Sequence, residues 1–197
     1  MLIYIDPGHG LDNPGAGKGY DPGASAGGME EAATALVWAA TLKFLLVQVG
    51  CKVALTRTSA ADPAPLGSRV RRANQAGAGL YISLHLNAAS AATARGTETL
   101  YRDAADQKLA QVIQGAAIKA FRTFDPAWKD RGVKSEKESA RGTLCVFGAS
   151  MPCALLEIGF VSNAQDRALM QRKDVRVAVC QAVVDALVGA YSLGAAS

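Results

Sequence analysis

Apolar positions along this chain switch repeatedly between the two-residue period of a strand and the 3.6-residue period of a helix. Residues 2–5, Leu-Ile-Tyr-Ile, form a short β-rich run that ends in a glycine-rich loop over residues 7–28. From Glu30 the spacing becomes helical: Leu36, Ala39, Ala40, Leu42, Phe44, Leu45 and Val47 supply an apolar face, and Gly50 stands where a helix commonly ends. Residues 51–56 predict a second strand, 66–76 a helix after a proline-containing turn, and 80–84 a third strand running straight into His85. Residues 96–101 predict another strand, and Leu109, Val112, Ile113 and Ala116 mark a helix over 104–121. The polar stretch 125–141 is expected to be a solvated loop, followed by strands at 144–147 and 154–158 and a last helix carrying Val175, Val179, Val183 and Leu187. This alternation predicts an α/β fold: a single domain over residues 1–197 with a mostly parallel central sheet and helices on both faces.

Composition narrows the picture. With 50% apolar and 19% charged residues in 197, the chain buries one substantial core, which excludes disorder over most of its length. A net charge of +4 suits a polyanionic surface but is too small to imply a nucleic-acid partner. Cys51, Cys145, Cys153 and Cys180 lie in apolar surroundings without a C-x-x-C pair, so they read as buried free thiols of a reducing compartment; a Cys145–Cys153 bridge needs the fold to bring the two together. The opening Met1-Leu2-Ile3-Tyr4-Ile5-Asp6 has no basic region, apolar core or cleavage site of a secretory signal, so synthesis in the cytoplasm is expected. The most apolar long segment, 32–49, is interrupted by Thr34, Thr41, Lys43 and Gln48, which predicts a core-facing helix and no stable membrane insertion.

The candidate chemistry begins with two histidines, the whole complement of the chain. His9 and His85 each follow the C-terminal end of a predicted strand, the rim where open α/β sheets bind ligands, and neutral imidazole is a preferred metal ligand. Singly, each is explained as well by a loop cap or a half-buried histidine; together they point to one centre, which then needs a third ligand. Glu30 and Glu31 open the first helix, where the helix dipole accounts for one carboxylate and leaves the other for the rim. Glu157 sits among apolar and small neighbours, Cys153-Ala154-Leu155-Leu156 before it and Ile158-Gly159-Phe160 after it, where a carboxylate needs an ion-pair partner or a catalytic reason to be. Gly15-Ala16-Gly17-Lys18-Gly19 fails as a phosphate loop, because Asp12 and Gly19 stand where Gly and Ser or Thr are required. Cys145 and Cys153 fall in or beside predicted core strands, which argues against a cysteine nucleophile.

Four blocks in order resemble the zinc-dependent N-acetylmuramoyl-L-alanine amidases of the type 3 family, cell-separation amidases and phage endolysins among them. These are Asp6-Pro7-Gly8-His9-Gly10 with Asp21-Pro22-Gly23-Ala24; Leu55-Thr56-Arg57 with Arg69-Val70 and Ala73-Asn74; Ser83-Leu84-His85-Leu86-Asn87-Ala88; and Leu156-Glu157-Ile158-Gly159-Phe160-Val161-Ser162-Asn163. The family's glutamate ligand heads a helix with apolar residues five, eight and eleven places on; Glu31 gives Leu36, Ala39 and Leu42, whereas Glu30 gives Ala35, Trp38 and Thr41, so Glu31 is chosen.

The resemblance implies one catalytic amidase domain over 1–197, with Zn2+ held by His9, Glu31 and His85 and with Glu157 as the catalytic residue. The substrate it implies is peptidoglycan, cut between N-acetylmuramic acid and L-alanine, by a chain expected to be a monomer. The matching expectation for its place of action is the cell wall or periplasm, reached either as a phage lysin through a membrane lesion or as the catalytic domain of a longer exported protein. Some family members carry an inserted helix that blocks the zinc; here Arg131-Gly132-Val133-Lys134 arrives soon after the preceding helix, so an open site is expected. A zinc peptidase cutting within the stem peptide and a wall-binding module without catalysis are the alternatives.

Overall fold

The computed structural model describes residues 1–11, 19–139 and 142–194; the rejected phosphate-loop run falls largely outside them. In chain order the elements are β1 (Leu2–Pro7), the strand pairs β2 (Gly10–Leu11) with β3 (Tyr20–Asp21) and β4 (Ser25–Ala26) with β5 (Met29–Glu30), α1 (Glu31–Gln48), β6 (Lys52–Leu55), α2 (Leu66–Gln75), β7 (Leu80–Asn87), β8 (Thr97–Tyr101), α3 (Ala104–Phe121), β9 (Asp130–Ser135), 3-10 turns at Glu136–Glu138 and Cys145–Gly148, β10 (Cys153–Phe160), α4 (Ala164–Gln171) and α5 (Lys173–Tyr191). Six strands form the central sheet in the order β6-β1-β7-β10-β8-β9. Every neighbouring pair is parallel except β10 with β8.

Strand alternation sorts the core into two unequal halves. Ile3, Ile5, Leu80, Ile82, Leu84, Ala154, Leu156 and Ile158 point to the face covered by α1, α3 and α5. Leu2, Tyr4, Tyr81, Cys153 and Leu155 point to the other, where Val70 and Ala73 of α2 and the turn residues Val146 and Phe147 cover them. Helices therefore lie on both faces, with one short helix and a turn on the second. α1 is long and apolar enough by composition to span a membrane. Its stripe of Ala35, Trp38, Ala39, Leu42 and Leu46 is nevertheless buried in the larger core, as a core-facing helix requires.

Three expectations are corrected. Residues 130–135 are a strand and not a solvated loop: β9 pairs only with β8 at the sheet edge, and charged side chains are what an exposed edge carries. Residues 145–148 form a 3-10 turn and not a strand, closed by Phe147 N to Leu144 O at 3.2 Å and Ala149 N to Val146 O at 3.3 Å; the apolar run caps the smaller core instead of pairing. Cys145 opens that turn with its side chain exposed, while Cys51, Cys153 and Cys180 are buried, and all four thiols are free.

A buried polar cluster fixes the C-terminal end of β1. The Asp6 carboxylate accepts from Thr56 Oγ1 at 2.5 Å, Arg69 Nη1 at 3.0 Å and Ser83 Oγ at 2.9 Å. Arg69 continues to the carbonyls of Ala64 at 2.7 Å, Pro7 at 2.9 Å and His9 at 2.5 Å. Arg57 donates to the carbonyls of Pro7 at 3.0 Å, Gly8 at 2.8 Å and Ala32 at 2.7 Å, tying the loop after β1 to the first turn of α1. Burial pushes the Asp6 carboxyl up, but Arg69 and the hydroxyl donors outweigh it and hold the group below the ordinary carboxylate range.

Two outcomes follow. Trp128 stacks on Phe121 with ring centroids 4.1 Å apart and donates Nε1 to Thr97 Oγ1 at 2.9 Å, so Trp128→Ala is expected to cost about 3–5 kcal/mol in urea unfolding. Because the folded Asp6 titrates below its unfolded value, its stabilisation is complete at neutral pH and is lost as pH falls below about 3.9 through the folded value. Asp6→Asn is expected to flatten that acid limb of the stability curve and, by stranding buried Arg69, to cost about 3–5 kcal/mol at pH 7.

Candidate metal centre

β1 ends at Pro7, and the next residues turn sharply: His9 has φ 59° and Gly10 φ 105°. A left-handed histidine is strained and persists because its surroundings over-determine it. Here Arg69 holds its carbonyl, and its Nδ1 lies 2.7 Å from Asp21 Oδ2 on β3. That contact turns Nε2 inward. His85 reaches the same point from the end of β7, its ring centroid 5.1 Å from that of His9.

Glu31 closes the group. It is the first residue of α1, wholly buried, and its amide donates to Ala24 O at 2.9 Å while that of Ala32 donates to Pro22 O at 3.0 Å, so the helix start is pinned to the loop after β3. Glu31 Oε1 lies 2.8 Å from His85 Nδ1 and 3.1 Å from His9 Nε2, and it accepts from Leu86 N at 3.0 Å; Oε2 accepts from Ala24 N at 2.9 Å. Glu30 points outward instead, exposed and in contact with the Tyr20 hydroxyl at 3.2 Å. The three candidate ligand atoms lie within 4.8 Å of one another, and among the described residues no other His, Cys, Asp or Glu group forms such a cluster.

The donor set fits a metal ion. His9 Nε2 is buried 3.1 Å from Glu31 Oε1 and, among the described residues, is a polar atom aimed at the cluster with no hydrogen-bond partner of its own. Burial drives Glu31 toward its neutral form, but the two imidazoles outweigh it and keep the carboxyl well below the usual range, ready as an anionic ligand. Burial likewise lowers the His9 value, and Glu31 with Asp21 reverses it to a net rise. Two glycines make the room. A Cβ at Gly8 would stand 2.3 Å from His85 Cε1, and one at Gly23 would stand 2.6 Å from Glu31 Oε2 and 2.7 Å from His9 Cδ2.

Glu157 lies one strand from His85, its direct register partner in the β7–β10 pair, and therefore faces the same side of the sheet. It is 5% exposed and lines a cleft of about 320 Å3 with Asn87, Glu98, Arg131, Lys134 and Phe160. His9 and His85 line a smaller, mostly apolar cavity of about 130 Å3 with Leu66, Leu144, Val146 and Leu155. The connection from α3 to β9, residues 122–129, contains no helix.

Sequence reasoning named His9, Glu31, His85 and Glu157 and missed what surrounds them. Asp21 was legible only as part of a motif, with no role. Glu98 went unnoticed because its place beside Glu157 arises from the antiparallel β8–β10 register, which brings Glu98 opposite Glu157. Arg57 and Arg69 stood in motif blocks without any hint that both serve backbone carbonyls.

Comparison with known proteins agrees with this geometry. The family model described as N-acetylmuramoyl-L-alanine amidase (Amidase_3) matches residues 3–188. The chain is 29% identical to the germination-specific N-acetylmuramoyl-L-alanine amidase of Bacillus subtilis over 86% of its own length and 70% of that protein. It is 30% identical to LytC of the same organism over 96% of its length, and 29% identical to the endolysin of Bacillus phage SPP1 over 87%. It spans only 35% and 59% of those two proteins, respectively. Among solved structures, the catalytic domain of CwlV from Bacillus (Paenibacillus) polymyxa superposes with a TM-score of 0.83 at 27% identity, covering 98% of this chain and 99% of that one. An N-acetylmuramoyl-L-alanine amidase from Clostridium difficile 630 gives 0.81 at 25% identity, with 98% and 97% covered. With a family model matching nearly end to end on a fold and a His-Glu-His cluster of this kind, the chain belongs to the N-acetylmuramoyl-L-alanine amidase family.

Proposed function

We propose that this chain hydrolyses the amide bond between N-acetylmuramic acid and L-alanine in peptidoglycan, with Zn2+ held by His9, Glu31 and His85 and with Glu157 as its proton-transferring residue. The observation that carries the proposal is the convergence of two imidazoles and one carboxylate at the strand ends with a second carboxylate in register one strand away. Two nitrogens and one oxygen make a donor set typical of catalytic zinc, which keeps a further position for water or substrate. Zinc, when bound, supplies Lewis acidity, polarising an amide carbonyl and acidifying water.

The chain's own residues do the rest. Asp21 fixes the tautomer and orientation of His9, leaving Nε2 for the ion. Backbone amides of Leu86 and Ala24 hold both oxygens of Glu31, so the ligand does not swing away. Glu157, at the head of the larger cleft, takes a proton from water and returns it to the leaving nitrogen, the role of a general base that becomes a general acid. The chain acts on the cell wall, a reading supported by its likeness to named N-acetylmuramoyl-L-alanine amidases and to a phage endolysin.

Purified wall is digested with wild type and with Glu157→Ala, metal content is measured on both, and released fragments are identified by mass spectrometry. The wild type is expected to free intact stem peptides beginning with L-alanine. The variant is expected to keep zinc and lose activity by about 10²–10⁴-fold. Cleavage within the stem would reassign the enzyme to the peptidases, and wall binding without release would make it a binding module. Asp21→Asn is expected to weaken zinc binding by about 10- to 100-fold in chelator competition while the fold survives by circular dichroism.

A further inference from the structure

The larger cleft holds two cations that the reaction described above does not use. Lys134 Nζ lies 2.6 Å and Arg131 Nε 2.7 Å from the same oxygen of Glu98, whose other oxygen accepts from Asn87 Nδ2 at 2.8 Å. One carboxylate between two cations leaves this trio with one net positive charge, set against the separate carboxylates of Glu138 and Glu157 in the same cleft. Among the described residues, Arg131 spends only Nε on a hydrogen bond and Lys134 only one of its three N–H groups. The guanidinium is held over the Phe160 ring at 4.8 Å from its centroid, and both side chains remain about one-third exposed, at 34% and 32%. Glu138, also in the cleft, is engaged with Ser135 N at 2.7 Å in the turn's capping box, and Glu157 lines the same cleft opposite Glu98.

Position turns this cluster into a ruler. Glu157 faces Glu98 across β10 and β8, and Arg131 falls on β9 between the pairs Thr97–Asp130 and Thr99–Val133. Neighbouring strands are about 4.8 Å apart, so the backbones of β9 and β10 lie roughly 10 Å apart, and both cationic heads reach back across that gap, to Glu98 and, for Arg131, to the Phe160 ring on β10. What separates them from Glu157 is the reach of one or two extended residues at roughly 3.5 Å each. We propose that Arg131 and Lys134 form an anion-recognising subsite that selects stem peptides carrying a free carboxylate one or two residues beyond the scissile bond over peptides in which that group is amidated. The inference rests on the amidase reading and adds the chemistry of the substrate it prefers. Arg131 offers the paired donors of a planar fork and Lys134 a mobile point charge; Glu98 spaces them and limits their excess charge to one.

The test compares two muropeptides that differ only in that carboxylate, free or amidated. The zinc-loaded wild type is expected to favour the free form by about tenfold in kcat/KM, mostly through KM. Arg131→Gln and Lys134→Gln are expected to bring the ratio toward one with zinc content unchanged. Glu98→Gln, by releasing the two cations, is expected to raise it, an outcome that a purely structural cluster does not produce. Equal use of both peptides by the wild type, or variants that slow both alike with the ratio intact, overturns the proposal. Calorimetric binding of the free stem peptide and its amide is measured alongside. A chain that cleaves neither muropeptide refutes the amidase reading, while the binding preference still decides the subsite.

Discussion

Everything at the active end of this molecule hangs on the carbonyl groups that β1 leaves unpaired where it runs out. A parallel strand that ends beneath a loop strands its last C=O groups away from water, and such groups must find donors. Arg57 and Arg69 are those donors. Between them they take the carbonyls of Pro7, Gly8 and His9, and Arg57 reaches on to Ala32 beside the helix-opening Glu31. Two buried guanidiniums in one place are unfavourable by themselves, and burial together with mutual repulsion pushes the Arg57 value down. Asp6 supplies the compensating charge to Arg69. The result is a loop rigid enough to hold a histidine in a left-handed backbone conformation.

That rigidity explains how candidate ligands from three distant segments meet. His85 and Glu157 need no special support, since strand parity on β7 and β10 delivers both to the thinly covered face of the sheet. His9 and Glu31 come from a loop and a helix start, and each depends on contacts outside its own element. Glycine at positions 8 and 23 is the complement of this closeness: the rings and carboxylate occupy the volume where side chains would stand.

Much of this was legible in the chain. α1, α2 and α3 announce themselves by apolar positions at helical spacing, and β1, β7 and β10 as short apolar runs, β10 being buried along its whole length. β9 does not, because an edge strand with Asp130, Arg131 and Lys134 is selected for water and looks like a loop. The 145–148 turn misleads in the opposite way, being apolar without being extended. Within the site, His9 and His85 stood out by rarity and position, and Glu157 by being a charge among apolar neighbours. Distinguishing Glu31 from Glu30 needed a family register, since both fit a helix start equally well. Asp21, Glu98 and Arg57 act through contacts that no local window contains.

The single antiparallel pairing in the sheet divides labour within it. On one side of β10 lie β7 with His85, the loop after β1 with His9, and the arginine supports, Arg57 just past β6 and Arg69 on α2; strands on the other side carry the polar wall of the cleft, and α1 returns Glu31 to the first group. Glu157 sits on the seam. A change in β9 therefore reshapes what the cleft receives without touching any contact that holds the ligand cluster, and a change near β1 does the reverse. Such an arrangement lets the wall of the cleft be altered independently of the cluster that would hold the ion, with one strand as the boundary between the two.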